Sequence, residues 1–247
     1  MLRLDQALVE RGLCESREKA KRAVMAGQVL VNGQPARKPS VSVKAGDALS
    51  LATADRYVSR GGVKLEAALK GFALDVTGLC VVDLGASTGG FTDCLLQHGA
   101  RRVFAVDVGQ GQLAWKLRQD PRVVVMERTN ARSLTPGHFP PPFVPFDLAV
   151  ADCSFISLRK IIPPVVALLK PGGKIVALIK PQFEAGKIDV DRGAGVIRDP
   201  AIHERVLREV ETFVGSLAAL RWRQVTESPL LGPAGNKEFL VLIEKSG

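Results

Sequence analysis

The stretch VVDLGASTGGFTDCLL at residues 81–96 contains an apolar run, a glycine-rich turn and the start of an amphipathic segment. The apolar run ends at Asp83, and Gly85 then allows the backbone to turn tightly. Gly89 and Gly90 allow a ligand to approach the main chain before a helix begins. This order predicts a cofactor-binding loop at the carboxyl end of a strand. The loop lacks the G-x-G-x-x-G spacing of dinucleotide-binding folds, which argues against a dehydrogenase.

A second apolar run, VFAVDVG at residues 103–109, contains Asp107 at its end. Asp107 follows Asp83 by 24 residues, a separation at which an acid on a second strand accepts the hydroxyl groups of a ribose. A plain strand-to-helix turn would explain the glycines of the first loop but not this acid. The two acids together predict a nucleoside-containing cofactor.

Apolar runs and amphipathic segments alternate from residue 79 onward. Further β-rich runs are RVVVMER, FDLAVADCS, GGKIVALIKP, RWRQVTES and EFLVLIEK. Apolar runs that alternate with helices are typical of a parallel sheet covered by helices on both sides. We therefore predict an α/β fold with a Rossmann-like, mainly parallel sheet of seven strands, whose last two strands form a hairpin-like edge.

The chain divides near residue 60, and its basic charge is concentrated in the smaller N-terminal part. Residues 1–60 contain 11 Lys or Arg and 6 Asp or Glu, whereas the whole chain of 247 residues has a net charge of +9. Two short helices are predicted there, the second capped by Ser16, followed by a β-hairpin at Asn32-Gly33. The predicted organisation is a small α+β domain at 1–52, a linker at 53–60 and a large domain at 61–247.

The excess of basic residues favours a phosphate-rich partner such as nucleic acid. In the second predicted helix, Arg17, Lys21 and Arg22 project away from the apolar stripe and form a cationic ridge. A basic helix face is often only a solvated surface, so the ridge alone does not decide the partner.

The spacing of cysteine and histidine argues against a metal site or a disulfide framework. Cys14, Cys80, Cys94 and Cys153 form no C-x-x-C pair, and the three histidines form no ligand pattern. Charges stand where a signal peptide would have its apolar core, and no long charge-free apolar run follows. These observations predict a cytoplasmic protein with no metal and no membrane span, and we favour a monomer.

The first fifty residues resemble the small RNA-binding domain named after ribosomal small-subunit protein S-four. The resemblance is carried by RLDQALVERGL, SREKAKRAVMAGQVLVNG and KAGD, in that order. It implies that basic residues of this domain bind RNA. These are Arg3, Arg17, Lys21, Arg22 and Lys38.

The motifs D-L-G-A-x-x-G-G-F and V-D-V-G resemble those of methyltransferases that use S-adenosylmethionine, in particular the FtsJ-like branch that methylates ribose hydroxyls of RNA. Thr88 stands where that branch often has proline, and a threonine there can cap the following helix. The resemblance implies S-adenosylmethionine as cofactor and Asn130, or alternatively Glu127, near its adenine. The implied cofactor-binding residues are Asp83, Gly85, Ser87, Thr88, Gly89, Gly90, Phe91, Asp107, Val108 and Asn130.

Four polar residues resemble the lysine, aspartate, lysine and glutamate tetrad of FtsJ-like enzymes. They are Lys64, Asp152, Lys180 and Glu238. The implied reaction is an in-line attack of a ribose 2'-hydroxyl on the methyl carbon of the sulfonium. Because an unactivated hydroxyl is a poor nucleophile, Lys180 is expected to act as the base or as the group that orients the hydroxyl. Asp152 is expected to be its charge partner, while Lys64 and Glu238 position the ribose and tune Lys180.

Along nearly its whole length the chain resembles the TlyA family, also called haemolysin A, whose members methylate cytidine 2'-hydroxyls of ribosomal RNA. Motifs that carry this resemblance include YVSRGGVKLEAAL, ADCSFISL, KPQFEAGK and GNKEFLVLI. It implies ribosomal RNA or a ribosomal subunit as partner and leaves the choice of subunit open. Two alternatives are a catalytically silent RNA-binding factor and a membrane-active haemolysin. The lack of a spanning segment or a long basic amphipathic helix argues against the haemolysin.

Overall fold

The computed structural model describes residues 1–51 and 56–247. The chain divides into two compact units, residues 1–56 and 57–247. The division lies inside the predicted linker at 53–60. Residues 53–55 of this linker lie outside the described residues. Tyr57 is buried in the core of the second unit. Within the described ranges, no helix is long and apolar enough to cross a membrane.

The first unit contains two helices and two small antiparallel sheets. Its elements are β1 Leu2–Arg3, α1 Leu4–Glu10, α2 Arg17–Met25, β2 Val29–Val31, β3 Gln34–Pro35, β4 Ser42–Val43 and β5 Leu49–Leu51. β1 pairs with β4, and β2 lies between β3 and β5. Helix α2 begins after Ser16, whose Oγ accepts a hydrogen bond from Lys19 N at 3.3 Å, as predicted. The two helices pack together through Leu4, Leu8 and Val24.

The second unit is a seven-stranded sheet with helices on both faces. Its strands are β6 Cys80–Leu84, β7 Arg102–Val106, β8 Val123–Met126, β9 Phe146–Ala151, β10 Leu169–Ile179, β11 Leu220–Glu227 and β12 Phe239–Lys245. Its α-helices are α3 Gly61–Gly71, α4 Gly90–Gln97, α5 Trp115–Arg118, α6 Leu158–Leu168, α7 Pro181–Glu184, α8 Lys187–Arg192 and α9 Pro200–Ser216. Short 3-10 helices lie at Ala131–Ser133 and Pro136–His138.

The order of the strands confirms the predicted fold class. The sheet runs β11-β12-β10-β9-β6-β7-β8. β12 is antiparallel to both of its neighbours, while the pairs from β10 to β8 are parallel. The last two strands form the predicted antiparallel edge.

Apolar residues on both faces of the central strands form two separate cores. On β6, Val81 belongs to one core, while Val82 and Leu84 belong to the other. This alternation follows from the two-residue period of a strand. Helices α3 and α4 cover the first core, and α6 and α9 cover the second. Burial on both faces is the reason why these strands appear as continuous apolar runs in the sequence.

The carboxyl ends of β6, β7, β9 and β10 lie at one edge of the sheet. β6 pairs with β7 on one side and with β9 on the other, so the winding of the chain reverses between β6 and β9. Such a switch point leaves a crevice beyond the strand ends, where ligands bind. Gly85, Asp107, Asp152 and Lys180 each directly follow the last residue of one of these strands. The fold therefore places all four at this crevice.

Candidate active site

A cavity of about 480 Å³ opens beyond the ends of β6, β7 and β9. Its volume lies within the range of small-molecule sites, about 300–1,000 Å³. Five predicted cofactor-binding residues and one tetrad residue line it. They are Gly85, Ser87, Asp107, Val108, Asn130 and Asp152.

Asp107 is held by backbone groups of two loops at the cavity. Its Oδ2 accepts a hydrogen bond from Ser87 N at 2.8 Å, and its Oδ1 accepts one from Gly109 N at 2.7 Å. Each carboxylate oxygen keeps a further acceptor position. Asp107 can therefore accept ribose hydroxyls while it fixes both loops.

Gly85 allows the first loop to pass close to the end of β9. Its φ is +78°, and a Cβ there would lie 3.0 Å from the backbone oxygen of Asp152. Ser87 also has a positive φ, 48°, which is strained for a residue that has a Cβ. The backbone of this loop is thus bent toward the cavity that both residues line.

The other loop residues predicted to bind cofactor do not line the cavity. They either pack against neighbouring residues or face solvent. Gly89 leaves no room for a Cβ against α5, and a Cβ on Gly90 would lie 2.9 Å from Gly62 N. Phe91 is buried in the core, while Thr88 is exposed. The expectation that Thr88 caps α4 is wrong, because the helix begins after Gly89, which adopts φ 96° and supplies no side-chain bond.

Lys180 and Asp152 form an ion pair beside the cavity. Lys180 Nζ lies 2.6 Å from Asp152 Oδ1 and donates a hydrogen bond to Ser154 Oγ at 2.9 Å. Within the described residues, Asp152 Oδ1 has no hydrogen-bond partner, so its contact with Lys180 is an ion pair. Only 7% of Lys180 is exposed. A buried lysine needs such partners because burying an unpaired charge is costly.

Lys64 and Glu238 form a second ion pair, which is almost completely buried. Glu238 precedes Phe239, and Phe239 is paired in the sheet with Ile179, the residue before Lys180. The antiparallel register therefore places Glu238 and Lys180 side by side at the ends of β12 and β10. The four tetrad residues are thereby brought to one edge of the sheet in two pairs.

Asp83 is completely buried at the end of β6. Its Oδ2 accepts a hydrogen bond from Thr92 Oγ1 at 2.6 Å, while its Oδ1 has no hydrogen-bond partner among the described residues. Burial, opposed in part by the Thr92 bond and reinforced by the negative charges of Asp152 and Asp107, raises the pKa of Asp83 to about 7. Asp83 therefore contributes to the electrostatic potential of the site, although it does not line the cavity.

Of the two residues expected near an adenine, Asn130 lines the cavity and Glu127 is not among its lining residues. Asn130 caps a 3-10 helix by accepting a hydrogen bond from Arg132 N at 3.0 Å. Glu127 is paired with Arg118, which holds the pKa of that carboxyl below its usual range, and it accepts a bond from Gly111 N. The geometry therefore favours Asn130.

Phe155 is a candidate site residue that the sequence analysis does not identify. It lines the cavity, yet 90% of it is exposed. Its φ is 62°, and its ring centroid lies 5.1 Å from that of Phe183 in α7. An exposed aromatic ring beside a cavity offers a stacking surface for a nucleobase. The sequence contains one signal for Phe155, because an aromatic residue closely follows Asp152, the acid directly after β9.

Asn236 is a second residue missed by the sequence analysis. It is buried, its Oδ1 accepts a hydrogen bond from Ile197 N, and its Nδ2 donates one to Gly195 O, both at 2.9 Å. These bonds join the loop before α9 to the segment that leads to Glu238. Asn236 therefore fixes the backbone on which a tetrad residue stands.

Two of the predicted RNA-binding residues are anchored by one buried carboxylate in the first unit. Arg3 and Arg17 both donate hydrogen bonds to Asp5, and they lower the pKa of Asp5 to about 2. A guanidinium has five N–H donors, so both arginines keep donors for other acceptors. The other predicted residues lie at the surface of this unit: Lys21, Arg22 and Lys38.

Comparison with known proteins identifies both units of the chain. The FtsJ-like methyltransferase family matches residues 57–245, and the S4 domain matches residues 2–49. The 16S/23S rRNA (cytidine-2'-O)-methyltransferase TlyA of Mycobacterium tuberculosis is 47% identical over 243 residues, which cover 97% of this chain and 88% of that protein. Hemolysin A of Brachyspira hyodysenteriae is 42% identical over 241 residues, which cover 97% and 98%.

A solved structure from Streptococcus thermophilus, whose description proposes a hemolysin, superposes with a TM-score of 0.76 at 46% identity. The match covers 99% of this chain and 88% of that one. The sequence identities of 46–47% and the family match over residues 57–245 together determine the family. The chain belongs to the FtsJ-like methyltransferase family and carries an S4 domain at its N-terminus.

Proposed function

We propose that this protein transfers a methyl group from S-adenosylmethionine to the 2'-hydroxyl of a cytidine in ribosomal RNA. The observation that carries the proposal is the ion pair of the buried Lys180 with the half-buried Asp152 beside a cavity of cofactor size. The name of the Mycobacterium tuberculosis relative supports the substrate class, since it specifies cytidine 2'-oxygens of rRNA.

The residues around the cavity fit S-adenosylmethionine. Asp107 has acceptor positions for ribose hydroxyls, and Asn130 offers amide groups to a base edge. Gly85 and Ser87 line the cavity on a backbone turn in which both residues have a positive φ. The carboxylate of Asp152 in the cavity lining favours a positively charged ligand, and among the described residues Oδ1 of the neighbouring Asp83 has no hydrogen-bond donor. When bound, S-adenosylmethionine supplies a methyl group attached to a cationic sulfur.

Lys180 orients and activates the attacking hydroxyl in this proposal. Its Nζ carries three N–H bonds, of which one points to Ser154 Oγ, while Asp152 lies in ion-pair contact. A further N–H is left for the 2'-hydroxyl oxygen. There the amine either donates a hydrogen bond that aims the oxygen lone pair or, in its neutral form, accepts the hydroxyl proton. Asp152 holds Nζ in place in both cases.

The pair of Lys64 and Glu238 positions the substrate next to Lys180. Both side chains are buried, and the register of β10 and β12 fixes Glu238 beside Lys180. A rigid carboxylate and ammonium at this place hold a ribose in one orientation, which lowers the entropy cost of the transition state.

Phe155 supports an unpaired nucleotide at the entrance in this proposal. An unpaired nucleotide can be turned out of its stack, so that its ribose reaches into the cavity while its base rests at the entrance. The exposed ring of Phe155, held next to Phe183, is placed to stack on the extruded base. The S4 domain then supplies sequence-tolerant phosphate contacts through its surface cations.

The experiment that tests this proposal uses the purified chain and labelled S-adenosylmethionine. The labelled cofactor is added to intact small subunits, large subunits and naked ribosomal RNA, and nuclease digestion maps the label. We expect label on the 2'-oxygen of a cytidine in at least one of these substrates. Label on a base would contradict the proposed chemistry, and cofactor binding without any label would favour a silent RNA-binding factor.

A further inference from the structure

Three carboxyl groups lie at the switch point of the sheet, at the ends of β6, β7 and β9. Asp107 and Asp152 line the cavity, and Asp83 is completely buried beside them. Asp107 accepts two backbone hydrogen bonds, and Asp152 is paired with Lys180. Asp83 has only Thr92 on one oxygen, and its Oδ1 has no hydrogen-bond partner among the described residues.

The charges around Asp83 are predominantly negative. The groups that couple to it are Asp152, Asp107 and Cys153, together with the hydroxyl and the backbone N–H of Thr92, and Lys180 is paired with Asp152. Burial raises the pKa of the Cys153 thiol to about 12, so this group is neutral at ordinary pH. With all three acids ionised, the cluster holds three negative charges, and Lys180 compensates the one on Asp152. A proton on Asp83 removes one of these charges and gives Oδ1 a donor hydrogen.

A cation in the cavity can replace that proton. It would compensate the same negative charge through Asp152 and Asp107, and it would stabilise ionised Asp83 by Coulomb attraction. A neutral ligand of the same shape offers no such compensation. The cluster therefore responds differently to two ligands that differ only by a positive charge.

We propose that Asp83 is the residue by which the site distinguishes a sulfonium ligand from its neutral thioether product. This inference rests on the proposed use of S-adenosylmethionine. Asp83 holds a proton when the cavity is empty or contains the thioether, and it releases that proton to solvent when the sulfonium binds. When methyl transfer removes the sulfonium charge, Asp83 takes a proton up again. The rise in its pKa to about 7 sets this exchange near neutral pH.

The test is titration calorimetry of the whole chain with S-adenosylmethionine and with S-adenosylhomocysteine at pH 6.5, in two buffers of different ionisation enthalpy. The difference between buffers counts the protons released. We expect roughly half a proton or more for the sulfonium and clearly less for the thioether. Between pH 6 and 8, the ratio of the two affinities should rise in favour of the sulfonium, by at most about tenfold per pH unit.

Two variants separate Asp83 from other titrating groups. The amino group of the ligand itself titrates near this range, so the comparison must be made with Asp83→Asn, which keeps the ligand unchanged. We expect Asp83→Asn to lose the extra proton release and the pH dependence of the affinity ratio. Asp75→Asn removes an exposed acid elsewhere and should behave as the parent chain.

The outcomes distinguish this inference from the proposed function. Binding of S-adenosylmethionine with proton release equal to that of the thioether, or unchanged in Asp83→Asn, overturns the role of Asp83 and leaves methyl transfer intact. No binding of S-adenosylmethionine overturns both. If Asp83→Asn does not fold, carboxyl carbon NMR of the parent chain decides. One buried Asp should then titrate near neutral pH when the site is empty and should ionise when the sulfonium is added.

Discussion

Asp5 joins two arginines of the predicted RNA-binding surface to the core of the S4 domain. Its side chain is completely buried and accepts hydrogen bonds from Arg3 and Arg17. Asp5→Asn keeps the shape but removes the charge that orients both guanidinium groups. We expect weaker binding of ribosomal RNA by several fold and a melting temperature lower by a few degrees.

Filter binding and thermal unfolding measure these two effects. Glu10→Gln is the matched control, since it removes one exposed acid from α1. RNA affinity and melting temperature that both equal those of the Glu10→Gln chain would contradict the anchoring role of Asp5.

Asp83 makes the stability of the second unit depend on pH. Its pKa of about 7 in the folded chain lies above the value of about 3.9 for an exposed Asp, so folding takes up a proton between these values. Its contribution is fully present below about pH 4 and is lost as the pH rises through 7. Asp83→Asn lacks this titration. We expect its melting temperature to gain several degrees relative to the parent between pH 5 and pH 8. A constant difference would contradict the assigned pKa.

The sequence was sufficient to predict site residues where a charged residue directly follows a strand. Asp107, Asp152 and Lys180 each follow an apolar run, and the structure brings them to one edge of the sheet. Phe155 and Asn236 could not be identified in this way. The exposure of one and the burial of the other arise from loop packing that has no period in the sequence.

Helix α4 packs closely against α3 because Gly90 has no side chain. A Cβ at this position would lie 2.9 Å from Gly62 N. We expect Gly90→Ala to destabilise the chain by about 1–3 kcal/mol, because the helices must move apart. Gly71→Ala is the control, since no atom lies within 4 Å of a Cβ built there. Chemical unfolding measures both variants. Equal stability of the two would contradict the packing role of Gly90.

The elements of the second unit were predictable because parallel strands buried on both faces are long apolar runs. The alternation of strands and helices predicts a mainly parallel sheet with a hairpin-like edge, but it does not predict the order of the strands. The reason for the glycines after Gly85 was not predictable. In the sequence, Gly89 and Gly90 fit the pattern of a ligand-binding loop. In the structure, a side chain at either position would collide with residues in or next to α5 and α3.

At the scale of the whole molecule, the S4 domain is expected to provide the electrostatic part of RNA binding. Arg22 and Lys38 are exposed, and reversing them leaves the Asp5 cluster intact. We expect the double variant Arg22→Glu with Lys38→Glu to bind RNA more weakly. The slope of log affinity against log salt concentration should become less steep by about 1–2. Lys174→Glu with Arg221→Glu changes the same charge in the second unit, in the middle of β10 and near the start of β11. Identical salt slopes in both double variants would contradict this role.

Methyl transfer by Lys180→Ala tests the central claim most directly. The measurement is the single-turnover rate on the ribosomal substrate, together with the affinities for S-adenosylmethionine and for RNA. Lys174→Ala, which removes a half-buried lysine from the middle of β10, is the control. The account predicts a loss of about 100-fold or more in rate for Lys180→Ala, with both affinities within a few fold of the parent. A rate near that of Lys174→Ala would contradict the assignment of the chemistry to Lys180.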